Sequence, residues 1–138
     1  MVDHRLALAP DIAEIPRLLD WVETCCGDAA VAHDTAFKLA LALEEAVANV
    51  IHHAFAATPP PHRIAVELAI DAARVSALVI DNGRPFDPSA APGPEANVPL
   101  DRRDPGGLGI HLIRRMMDRV DYRRVAGENR LRLEKARK

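Results

Sequence analysis

The sequence predicts an α+β fold in which helical and extended segments are largely segregated. Two early stretches carry apolar residues at helical spacing, two middle stretches alternate with period two, and a short helical segment precedes a closing extended pair. Runs rich in proline and glycine separate these segments. A length of 138 residues is enough to bury one core and too short for two.

Arg5-Leu6-Ala7-Leu8 is apolar on alternate sides and stopped by Pro10, which predicts a strand. Asp11 is placed to cap a helix, with Glu14 where a capping box wants it. Ile12, Ile15, Leu18, Leu19 and Val22 follow at helical spacing to an end near Cys26-Gly27. Asp28 is the expected cap of a longer helix running through Phe37, Leu41, Val47 and Ile51 to about Phe55, before Thr58-Pro59-Pro60-Pro61 stops it. Ile64, Val66, Leu68 and Ile70 then alternate with small or polar residues. Asp71-Ala72-Ala73 turns the chain into a second, more fully buried strand, Val75-Ser76-Ala77-Leu78-Val79-Ile80.

From Asn82 to Pro105 the chain is rich in proline and glycine and poor in large apolar groups. A loop of this length is uncommon inside a domain, and residues 84–105 read as a lid. Gly106-Gly107-Leu108-Gly109 opens a helix with Ile110, Leu112, Ile113, Met116 and Met117 at apolar spacing. Val120-Asp121-Tyr122-Arg123-Arg124-Val125 and Leu131-Arg132-Leu133 form a closing hairpin with Gly127-Glu128-Asn129 as its turn. No internal repeat or second boundary is visible, so one domain is expected over residues 1–138.

Hydrophobic residues make up 49% and charged residues 28%, the balance of an ordinary globular chain. A net charge of −2 offers no global positive field for gathering phosphates, so no direct nucleic-acid role is expected. Arginines do concentrate locally, at Arg102, Arg103, Arg114, Arg115, Arg119, Arg123 and Arg124, as either a solubilising surface or one positive face. The two cysteines, Cys25 and Cys26, are adjacent, which strains a disulfide and points to a reducing compartment. No basic start leads into an apolar run, and no stretch approaches the roughly 20 apolar residues needed to cross a bilayer. A cytoplasmic protein without a membrane partner is expected.

Three elements carry chemistry. On the long helix Lys38, Glu45, Asn49 and His52 are spaced by seven, four and three residues and project from nearly one side. Most other positions on that helix are apolar, so the stripe is either a solvated edge or the lining of a pocket. A carboxylate and a carboxamide one turn apart suit a hydrated Mg2+, and the carboxylate can instead accept a proton from an attacking hydroxyl. Asp81-Asn82-Gly83 closes the buried strand, either as a plain turn or as an acceptor for a ligand amine beside a glycine that admits a flat ring. Gly106-Gly107-Leu108-Gly109 can offer main-chain N–H groups and a helix dipole to phosphate. It is no P-loop, since no Gly-Lys-Ser or Gly-Lys-Thr follows.

The order of these elements resembles the GHKL superfamily of ATPases and kinases, and within it the anti-sigma-factor serine/threonine kinases. The matching stretches are Glu44 to Phe55, Asp81 to Pro88 and Gly106 to Ile113. The resemblance implies a two-layer α/β sandwich of the Bergerat ATP-binding type, with helices on one face of a mixed, mostly antiparallel sheet. It implies ATP and Mg2+ as ligands, Asn49 on the metal, Glu45 as general base, Asp81 receiving the adenine amino group and Gly83 supporting the ring. Gly107, Leu108 and Gly109 would offer N–H groups to the phosphates. Relatives often carry a threonine after a glycine near the last strand, where this chain has Gly127-Glu128-Asn129-Arg130.

By the same resemblance the chain is expected to phosphorylate a small anti-anti-sigma protein of the STAS type, to sequester a sigma factor and to form a homodimer. Arg102, Arg103 or Arg114 would offset charge on the transferring phosphoryl group. The competing expectation is a nucleotide-gated binding module with little or no kinase activity. A histidine-kinase catalytic domain fits less well, since the chain has no room for a phosphoacceptor domain and His52 and His53 lie inside the nucleotide helix.

Overall fold

The alternating apolar residues of the chain assemble into one five-stranded sheet. In the computed structural model, which describes residues 3–88 and 105–137 and only the main chain of 105–110, the strands are β1 (His4–Leu8), β2 (Ile64–Ile70), β3 (Arg74–Asp81), β4 (Arg119–Val125) and β5 (Glu128–Ala136). Their spatial order is β1-β2-β3-β5-β4. Every one of these neighbours pairs antiparallel, so among the described residues the sheet has no parallel component, where a mixed one was expected.

Register decides what each side of the sheet carries. Val66 lies beside Val79 and Val79 beside Leu131, while one row on Leu68, Ala77 and Leu133 are aligned. All six are buried and join one hydrophobic cluster with Leu18 and Val22 of α1 (Ile15–Asp28), Leu39 and Leu43 of α2 (His33–Asn49) and Ile113 of α3 (Pro105–Met116). The intervening residues, Glu67, Leu78 and Arg132, are aligned on the opposite side. This gives helices on one face and a charged open face, with ion pairs such as Arg5–Glu67 and Arg74–Glu134 across it.

Two helix boundaries differ from expectation. Asp11 does cap, its Oδ1 accepting from Ala13 N at 2.9 Å, but it starts a single 3-10 turn, Ile12–Glu14, that leads into α1. Asp28 caps nothing; it is the last residue of α1. The helix is closed by bonds from Ala30 N to Gly27 O and from Val31 N to Cys26 O, with Ala30 at a φ of 56°. That paired closure leaves the left-handed position to an alanine rather than to Gly27. Cys25 and Cys26 are unbridged and buried in the core.

The other end of the second helix also departs from a regular α-helix. After Asn49 the chain continues as a π-turn, Val50–Ala54, before the Thr58–Pro61 break. The wider turn carries His52 out to solvent although Asn49 is buried, so the four-residue polar stripe is not a continuous lining. Lys38 is engaged elsewhere, in an ion pair with Asp34 at 3.1 Å.

The closing hairpin turns on two residues, Ala126 (φ 51°) and Gly127 (φ 81°), rather than on Gly127-Glu128-Asn129. Positive φ at both positions matches the twist of tight hairpins. Glu128 and Asn129 therefore belong to β5. No helix among the described residues is long and apolar enough to span a membrane.

The core makes a direct demand on stability. Leu43 is fully buried between helix and sheet, so Leu43→Ala is expected to lower unfolding free energy by about 2–5 kcal/mol. Phe37→Ser, at a position 65% exposed, is expected to change it by about 0.5 kcal/mol or less. Urea titrations of the two variants check both values.

Candidate functional site

The helix-facing row of β3 ends on Asp81, paired in register with Asn129 of β5, which in turn pairs with Arg124 of β4. The alternation that buries Val79 and Leu131 thus turns Asp81 and Asn129 toward the helices, where each is only 3% exposed. Buried polar groups in this position require partners. Asp81 Oδ1 accepts from Gly83 N and from Asn129 Nδ2, both at 2.9 Å.

Asn129 is a hub. Its Nδ2 also donates to Arg84 O at 2.8 Å. Its Oδ1 accepts from Tyr122 Oη at 2.5 Å and from Phe86 N and Arg124 Nη1, each at 3.2 Å. Arg124 Nη1 donates in addition to Gly83 O at 2.7 Å. One buried amide thereby joins two strands to the turn that follows Asp81.

Burial pushes the Asp81 carboxyl above its ordinary range. The Asn129 amide, the Gly83 N–H and the Arg124 guanidinium oppose that rise, and Glu128 adds to it. Burial likewise raises the Tyr122 phenol, which keeps its proton available for donation.

Gly83 has a steric cause. A Cβ there would lie 2.6 Å from the carbonyl oxygen of Ala54, the last residue of the π-turn. Arg84 N donates to that same oxygen at 2.9 Å, and Thr58 Oγ1 donates to it at 2.9 Å. Asn82 pins the opposite side, accepting from Arg63 N at 2.6 Å and donating to Pro61 O at 2.8 Å. The Asp-Asn-Gly segment is at once a tight turn and the floor of the site.

Asn49 comes to this point from α2. It is 5% exposed and, with Asp81, Asn129, Tyr122, Phe86 and Pro88, lines a cavity of about 20 Å³, room for one water. Its Nδ2 is buried and has no hydrogen-bond partner among the described residues. Glu45, one turn earlier, is half-buried, and burial first and the neighbouring Glu44 second raise its carboxyl. The ring of Phe86 stacks on His53, with centroids 5.4 Å apart and planes at 16°.

The structure thus brings Asn49, Asp81 and Gly83 together, with Glu45 on the adjoining turn. Gly107, Leu108 and Gly109 lie inside α3, which begins at Pro105, so of the three only Gly107 has a main-chain N–H in the terminal turn without a helical partner. Arg102, Arg103 and most of the lid, residues 89–104, lie outside the described residues. The contacts of Tyr122 and Arg124 with Asn129, and the place of Asn129 in a strand beside Asp81, do not follow from the sequence, which puts Tyr122 and Arg124 only in a hairpin strand and Asn129 in its turn. A two-residue turn at Ala126-Gly127 would have put all three on the face of Asp81.

Gly83→Ala is expected to cost about 1–3 kcal/mol in a thermal or urea melt, because the added methyl meets main chain that cannot swing aside. Asp81→Asn keeps an acceptor oxygen and removes the charge. The folded carboxyl titrates above the unfolded value of about 3.9, so the wild type loses stability as pH rises between those two values. The variant's stability advantage is expected to be absent in acid, to open across that window and to stay constant toward neutrality, read from urea unfolding over a pH series.

Comparison with known proteins bears on the fold and the family. Residues 8–135 match the family model described as the histidine kinase-like ATPase domain. The chain is 38% identical over 99 residues to the serine/threonine-protein kinase BtrW of Bordetella bronchiseptica, covering 70% of this chain and 68% of that protein. It superposes on the histidine kinase domain of the blue-light activated histidine kinase of Erythrobacter litoralis EL346 with a TM-score of 0.52 at 13% identity, which speaks to fold alone. That match covers 89% of this chain and 63% of the solved one. With the sheet order, the helix-borne Asn49 and the strand-end Asp81 in place, the chain belongs to the histidine kinase-like ATPase domain family of the GHKL superfamily.

Proposed function

We propose that this domain binds ATP with Mg2+ and transfers the γ-phosphoryl group to a serine or threonine of a partner protein. The observation that carries the reading is Asn49: a buried carboxamide with an unpartnered Nδ2, lining one cavity with Asp81. An orphaned N–H donor of this kind costs free energy until an acceptor, a water or a ligand oxygen, completes it. The name of the relative, a serine/threonine-protein kinase, supports the chemical class.

Asn49 suits the metal because its amide oxygen is a hard ligand. Among the described residues no three carboxylate, imidazole or thiol groups gather into a cage, so such an ion would take its other ligands from phosphate and water. When bound, Mg2+ would neutralise charge on the triphosphate. Asp81 would receive the adenine amino group, with Gly83 beneath the ring. Gly107 would direct its N–H at the phosphates from the first turn of α3, and Leu108 and Gly109 would do so only if that turn opened on binding.

Glu45 would take the proton of the attacking hydroxyl as the new P–O bond forms and ADP departs. A carboxyl raised by burial is a stronger base than an exposed one. Under this reading the substrate is an anti-anti-sigma protein of the STAS type, and the domain, as a homodimer, holds a sigma factor when that substrate is phosphorylated.

Glu45→Gln is expected to slow phosphotransfer by roughly 10²–10⁴-fold while leaving nucleotide affinity unchanged. Asn49→Ala is expected to abolish the Mg2+ dependence of nucleotide binding. Labelled ATP with a STAS-type partner measures the first, and calorimetry with and without Mg2+ the second. Tight Mg-ATP binding with no label on any partner would instead establish a nucleotide-gated binding module.

A further inference from the structure

Helix α2 has a second flank that the nucleotide chemistry does not use. Ala36, Phe37, Ala40, Leu41 and Glu44 recur there at helical spacing and face Leu19 and Glu23 of α1 across a groove of about 420 Å³. Phe37 is 65% exposed, against 45% for Ile12 and 46% for Val125, the other large apolar side chains left in water among the described residues. A lone exposed apolar residue is ordinary. An aromatic ring set in a concave aliphatic furrow is the arrangement of an anchor site.

The rim carries one sign of charge. Glu23 and Glu44 line the groove with no lysine or arginine beside them, and neither has a hydrogen-bond or ion-pair partner among the described residues. His33 is the remaining titratable group of the lining. Two copies placed groove to groove would bring these carboxylates face to face, which opposes self-association. From His33 to Glu44 the helix rises about 16 Å, the length of three helical turns.

We infer that the α1–α2 groove docks an amphipathic helix of a partner protein, with aliphatic side chains against Phe37 and Leu41 and lysine or arginine beside Glu23 and Glu44. Main-chain groups of such a helix are already satisfied internally, so an apolar furrow with an acidic rim supplies what it lacks. The inference stands apart from phosphotransfer, since no residue of the groove belongs to the nucleotide site.

The test uses a labelled peptide of about 14 residues with leucines at i, i+3, i+4 and i+7 flanked by lysines, and a counterpart flanked by glutamates, titrated with the full chain by fluorescence anisotropy. The lysine peptide is expected to bind wild type, and to bind both Phe37→Ser and the Glu23→Lys/Glu44→Lys double variant roughly tenfold or more weakly. The double variant is expected to prefer the glutamate peptide. Nucleotide binding and the melting curve serve as controls for folding in each variant. Equal binding of the two peptides, or binding indifferent to Phe37→Ser, overturns the inference. So does concentration-dependent self-association that Phe37→Ser abolishes, since the occupant would then be a second copy.

Discussion

A carboxylate buried at the end of a central strand is tolerable only where donors reach it, and the pairing of Asp81 with Asn129 meets that condition. The amide that serves Asp81 also ties Tyr122 and Arg124 on the next strand to Arg84 and Phe86 on the turn beyond. Sheet register, turn conformation and carboxylate orientation are consequently one problem with one solution. Slipping β5 by a single residue would send Asn129 to the open face and leave Asp81 buried with the Gly83 N–H alone.

The helix layer meets this sheet end through backbone rather than side chains. The π-turn after Asn49 brings the Ala54 carbonyl against Gly83, where two N–H or O–H donors converge on it and no Cβ fits. An unbroken α-helix would aim that carbonyl elsewhere. Fixing Ala54 on Gly83 fixes how far Asn49 lies from Asp81, so the irregular turn works as a spacer between the two polar residues of the site.

The parts of this arrangement that follow from periodicity were open to reading. Two-residue alternation located β2 and β3, and helical spacing with polar exceptions singled out Glu45 and Asn49. What stayed hidden depended on local geometry with weak sequence marks. Ala126-Gly127 is a poor signature for a tight turn compared with Asn-Gly, so Asn129 was assigned to the turn and its contact with Asp81 could not be foreseen. A π-turn has no residue code of its own, and His52 was accordingly kept on the face of Asn49. Asp28 looked like a cap because Gly27 looked like a stop, whereas Ala30 takes the left-handed conformation instead. The glycine of Asp-Asn-Gly has a cause that no turn signature carries, the Ala54 main chain that leaves no room for a Cβ.

Glu44 and Glu45 are consecutive, about 100° apart around α2, one at the groove rim and the other on the turn before Asn49. Burial first and the Glu44 charge second hold the Glu45 carboxyl high, so the groove rim and the turn before Asn49 share one electrostatic neighbourhood although they present different surfaces.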